Sequence, residues 1–189
     1  MCFCCRIVAC AGAGNADKVT IYVAVMQVAS TAVCVGFLDK IGRKPLLIAS
    51  CLGIAVCNLM LAACYSEIGM KVFGAHKGLV ASVTVNALIS FFGVGVGTIP
   101  WLLMAEILPS RVRGLGSSFA TALNWLVAFM VTTSFGPLCS LIGTAKVYLL
   151  VFTPVILAFA GFVAVCVPET TGRSLDEIQC MLYERLGPQ

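Results

Sequence analysis

Five stretches of this chain run for 20 residues or more without Asp, Glu, Lys or Arg: Val19 to Leu38, Leu46 to Tyr65, Leu79 to Met104, Leu115 to Phe135 and Val147 to Val167. A helix needs about 20 apolar residues to cross roughly 30 Å of hydrocarbon, so each run can span a bilayer with some tilt. The charged residues, 12 Lys and Arg and 8 Asp and Glu, all fall in the connections or tails. The rest of the composition agrees: 60% of residues are hydrophobic and 11% charged, with a mean hydropathy of +1.04, where soluble domains carry roughly a quarter charged. The polar–apolar alternation of a membrane barrel is missing, which leaves helices as the spanning solution that satisfies the backbone. The expected fold is an all-α integral membrane protein with about five transmembrane helices (19–38, 46–65, 79–104, 115–135 and 147–167), flanked by an atypical N-terminal segment (1–18) and a C-terminal tail (168–189).

Orientation follows from the cations. Lys40, Arg43, Lys44, Arg111, Arg113, Arg173 and Arg185 gather on one side, against Arg6, Lys18, Lys71, Lys77 and Lys146 on the other. The excess favours "DKIGRKP", "PSRVRG" and the C-terminus as cytoplasmic. The segment "MCFCCRIVACAGAG" is too short and too interrupted by Arg6 for a sixth span. It reads as a leftover or abnormal start, with a lipidated or interfacial tail through Cys2, Cys4 and Cys5 as the alternative. The chain has 11 cysteines, of which only Cys2 and Cys5 have C-x-x-C spacing, and His76 is its one histidine. Cys34, Cys51, Cys57 and Cys166 lie inside spans, where thiols pack as small apolar groups. No metal or other cofactor is expected, and no nucleic-acid partner.

The connections hold the informative residues. In "FLDKIGRKPLLIAS", Asp39 ends one helix, Gly42 permits a tight reversal and Pro45 suits the first turn of the next. In "GVGTIPWLLMAEILPSRVRG", Pro109 should end a helix near Leu108 and leave Glu106 in its last turn. A carboxylate there faces the negative end of the helix dipole and needs a cation; Arg43, Lys44, Arg111 and Arg113 are at hand. Gly93, Gly95 and Gly97 ahead of Pro100 predict either a bend beside a cavity or close helix packing. In "VPETTGRSLDEIQCMLYERL", Ser174 and Glu177 have capping-box spacing, and Leu175, Ile178 and Leu182 recur at helical intervals. That pattern predicts a short amphipathic helix under the bundle.

Taken in order and at these separations, "DKIGRKP", "IPWLLMAEILPSRVRG", "NW" and "VPETTGRSLDEI" resemble the C-terminal half of sugar porters of the major facilitator superfamily. The wording is most similar to insect facilitated trehalose transporters and glucose transporters. The resemblance implies that Val19 onward forms helices eight to twelve of a twelve-helix carrier, with the N-terminal half missing. It also implies that Asp39, Arg43, Lys44, Glu106, Arg113, Glu169 and Arg173 form ion pairs at the cytoplasmic gate, with Lys44 standing where many members have Arg.

Sugar hydroxyls call for amides, and sugar ring faces call for aromatics. Polar residues inside spans are functional candidates because they are costly there. By resemblance, Trp101, Asn124 and Gln27 are sugar ligands, Gln27 replacing the family's usual Asn, and Trp125 packs beside Asn124. Interhelical hydrogen bonding for Gln27 and Asn124, an interfacial place for Trp101 and simple packing for Trp125 are the competing readings. Gly95, Gly97 and Pro100 mark the helix bend. An enzyme is not expected, because no nucleophile, base and orienting group come together. The resemblance implies passive, multi-pass transport of a hexose or trehalose, in the plasma membrane, by a chain inactive alone. The alternative is a non-transporting membrane protein that binds or regulates a full-length sugar carrier.

Overall fold

A computed structural model describes residues 16–73, 76–109, 111–167 and 169. The chain folds into helices joined by short turns: α1 (Ala16–Ile41), α2 (Arg43–Tyr65), the short α3 (Glu67–Phe73), α4 (Lys77–Val94), α5 (Ile99–Ile107), α6 (Arg113–Ile142), α7 (Thr144–Val147) and α8 (Thr153–Cys166). A π-helical turn, Tyr148–Phe152, makes α7 and α8 one rod. Among the described residues, four segments are long and apolar enough to cross a membrane by length and composition: 43–65, 77–107, 113–142 and 144–166. The first helix adds a described apolar stretch, Ala24–Leu38. The predicted tail helix and Arg173 lie outside the described residues, as does the start of the chain through Asn15.

Glycine sets the two sharpest reversals. Gly42, at φ 97° and ψ 157°, sits in a region open essentially to glycine alone. Its N–H still closes the end of α1 on the Leu38 carbonyl at 3.2 Å. Gly143, at φ 87° and ψ 144°, does the same between α6 and α7. The sequence places the end of the fourth span at Phe135, but α6 continues through Pro137 to Ile142. An internal proline removes one hydrogen bond of the ladder, here the one to the Thr133 carbonyl, which spanning helices tolerate.

Helix α2 is the centre of the bundle, packed between α4 and α8 and touching α1 and α5. Its buried face carries Leu46, Leu47, Ser50, Cys51, Ile54, Asn58 and Leu61, the three-and-four spacing of a helix stripe. Around this stripe two apolar clusters form. One gathers Cys34, Leu46, Leu47, Ile99, Leu103 and Val163 near the Gly42 turn. The other gathers Leu61, Val85, Ile89 and Tyr148, with Tyr65, Phe135 and Phe152 against it. Tyr65 and Tyr148 stack there at 6.4 Å between ring centres. By contrast α6 has no buried residue, and Leu115, Phe119, Trp125, Phe129 and Leu141 are exposed along it.

Candidate functional site

Three chain segments converge where α2 begins. The first turn of a helix leaves its N-cap and first three N–H groups without intrahelical acceptors, and in "GRKP" every one of these is accounted for. Gly42 N–H goes back to Leu38, and Pro45 has no N–H to satisfy. Arg43 N–H and Lys44 N–H each donate to the Glu169 carboxylate, one to Oε1 and one to Oε2, both at 3.1 Å. Glu169, which follows α8, therefore caps α2 from more than 120 residues away. Its negative charge sits where the helix dipole favours one.

The same Arg43 turns its guanidinium to the end of α5. Its Nη2 lies 3.1 Å from Glu106 Oε1, with the two side chains 14% and 20% exposed. Glu106 is in the last turn of α5, where its charge opposes the dipole, so the arginine supplies the compensating cation the sequence calls for. Arg113 takes a different partner: its Nε donates to the Leu108 carbonyl at 3.2 Å, closing the C-terminal end of α5. Lys44 meets Glu169 through its main chain, so that bond is indifferent to Lys or Arg at this position. Asp39 lies in the last turn of α1.

The second assembly is a helix break. Residues Gly95–Thr98 form a turn between α4 and α5, and Pro100 falls in the first turn of α5, where a proline is tolerated. Gly97 N–H reaches back to the Phe92 carbonyl at 2.8 Å, and Thr98 Oγ1 donates to the Gly93 carbonyl at 3.0 Å. Gly95 is where the chain crosses α2: a Cβ there would overlap Ser50 Cβ and lie 3.2 Å from the Leu46 carbonyl oxygen. Gly93 packs just as closely on α1, where a Cβ would come within 2.8 Å of Ser30 Cβ and 3.1 Å of Gln27 Nε2.

Of the four residues expected at the sugar site, Gln27 is half-buried on α1 beside Gly93, and Trp101 is 41% exposed on α5. Asn124 and Trp125 are exposed on α6. Among the described residues no hydrogen bond or ring contact joins these four. Ser50 and the capping role of Glu169 escaped the sequence reading. The only sequence signal for Ser50 is a hydroxyl in an apolar run.

A bundle of membrane-crossing helices with one helix broken by glycines is the architecture of multi-pass transporters. The solved structures bear this out. The bundle superimposes with a TM-score of 0.74 on the inward-open xylose transporter XylE from E. coli, at 28% identity, covering 86% of this chain and 35% of that one. It does so equally well, at 27% identity, on the major facilitator superfamily proton:xylose symporter XylE bound to 6-bromo-6-deoxy-D-glucose, covering 89% of this chain and 35% of that one.

Residues 1–182 match the family described as "Sugar (and other) transporter", and the chain belongs to this family of sugar porters. It is 37% identical to a facilitated trehalose transporter of Apis mellifera ligustica, over 85% of this chain and 32% of that protein. It is 35% identical to the sugar transporter ERD6-like 6 of Arabidopsis thaliana, over 90% of this chain and 36% of that protein. The chain thus spans about a third of the length of these relatives.

Proposed function

We propose that this chain is the C-terminal half of a facilitative sugar transporter, which moves a hexose or trehalose by alternating access and is inactive without the N-terminal half. The observation that carries the reading is the junction at Arg43, where one residue ties α2 to Glu106 of α5 and to Glu169 after α8. A contact holding three elements at one end of the bundle is suited to a latch. Single partly exposed ion pairs contribute only about 0–1 kcal/mol, so the latch can open in every cycle. On this reading the Gly42 end and the C-terminus face the cytoplasm across the plasma membrane, and Asp39, Lys44, Arg113 and Arg173 complete the gate.

Gln27, Trp101, Asn124 and Trp125 supply amide and aromatic contacts to the sugar, and the bend at Gly95, Gly97 and Pro100 lets α5 reach it. Transport needs no covalent chemistry and no cofactor. The support is family membership, relatives named for trehalose and other sugars, and the junction itself.

The test joins this chain to the first seven helices of a similar trehalose transporter and measures uptake of radiolabelled glucose and trehalose in cells lacking their own carriers. Uptake by the joined protein, with none by the chain alone, is expected. A joined protein that reaches the cell surface without transporting either sugar, while the chain alone co-purifies with a full-length carrier, would replace this reading with a regulatory one.

A further inference from the structure

A break in a buried helix frees main-chain donors and acceptors that hydrocarbon cannot serve, at several kcal/mol for each one left unmet. At Gly95–Thr98 the ladder slips by one residue: the Phe92 carbonyl, the ordinary acceptor for Val96 N–H, is taken by Gly97 N–H. Val96 N–H donates instead to Ser50 Oγ of α2 at 3.2 Å. The same hydroxyl donates its proton to the Phe91 carbonyl at 2.6 Å. Ser50 is 2% exposed and sits against Gly95, where any larger residue would collide with it. One hydroxyl therefore serves both sides of the break.

Ser50 also stands seven residues beyond Arg43, hence on the same face of α2. That face meets the polypeptide just before α5 through Ser50 and the last turn of α5 through Arg43 and Glu106. We propose that Ser50 is a positioning residue that fixes the break and, together with Arg43, clamps α5 at both ends, setting where Trp101 is presented. The two clamps differ in kind: the Arg43 contact is a partly exposed ion pair, while the Ser50 contact is buried and directed at the main chain. The buried contact is the persistent one. When the ion pair opens, α5 pivots about Ser50. This assignment rests on the transport reading for its consequence but not for its geometry.

The experiment has two arms with Ser50→Ala, which keeps the Cβ and removes only the hydroxyl. In the full chain in lipid nanodiscs without sugar, Val96 amide exchange is expected to rise about tenfold, the scale of one lost hydrogen bond. Exchange across 54–62 should stay as in the unmodified chain, separating a local effect from loss of fold. In the joined transporter, KM is expected to rise about three- to tenfold through misplacement of Trp101, with partial recovery in Ser50→Cys. A merely structural role would lower Vmax with the amount of folded protein and leave KM alone. Unchanged Val96 exchange overturns the pin, and faster exchange with unchanged KM overturns the positioning role. If the unmodified joined protein carries no sugar, the transport reading fails, and the exchange arm alone decides whether Ser50 holds the break.

Discussion

At the scale of single residues, Glu169 and Glu106 are both acidic residues beside Arg43, yet they act differently. Glu169 meets main-chain N–H groups, so it is a helix cap delivered by a distant segment. Replacing it by Gln keeps one acceptor oxygen but removes the charge and turns the other position into a donor facing an N–H. The expected cost is about 1–2 kcal/mol, read as a lower melting temperature together with faster exchange of the Arg43 and Lys44 amides. Equal stability of the two proteins would show that the cap adds nothing. Lys44→Arg, in contrast, should leave Lys44 amide exchange as it is, because the Glu169 contact uses no side-chain atom of Lys44. This pair of residues also marks a limit of sequence reading. The motifs announced that charges would meet here, but the choice between side chain and main chain depends on where α8 delivers Glu169.

Among elements, α2 organises the rest, and its entry depends on one backbone angle. Gly42→Ala forces a side chain into a conformation with φ 97°, for which about 1–3 kcal/mol of strain is expected. The expected signature is loss of protection through the first turn of α2 with the Leu61 cluster intact, measured by amide exchange. An unaltered pattern would mean the turn relaxes freely. Element boundaries were largely legible in the chain itself. Apolar runs bounded by charge gave the helix positions, Pro109 gave the end of α5, and the glycines before Pro100 gave the break. The Ser50 bridge was not legible, because its partners lie 41 and 46 residues away and nothing local distinguishes a hydroxyl that bonds its own helix from one that crosses to another. Nor was the run of α6 through Pro137, where a local breaker loses to the continuity of an apolar span.

For the whole molecule, the uneven burial of the bundle is the governing fact. Helix α2 is buried along a full stripe, while α6 has no fully buried residue and exposes Phe119, Trp125 and Phe129. On the proposed reading these faces meet lipid and the helices of the other part of the carrier. In the joined transporter, Asn124→Ala should raise the sugar KM with little change in stability, since this exposed side chain makes no hydrogen bond among the described residues. An unchanged KM would remove Asn124 from the ligand set. The most direct measurement of the account is sugar uptake by the joined transporter carrying Glu106→Ala, at matched surface expression. Loss of the carboxylate opposite Arg43 is expected to lower the uptake rate about two- to fivefold, the scale of a partly exposed ion pair. Unchanged uptake kinetics would contradict the account, leaving the Arg43–Glu106 pair as a structural contact rather than a latch.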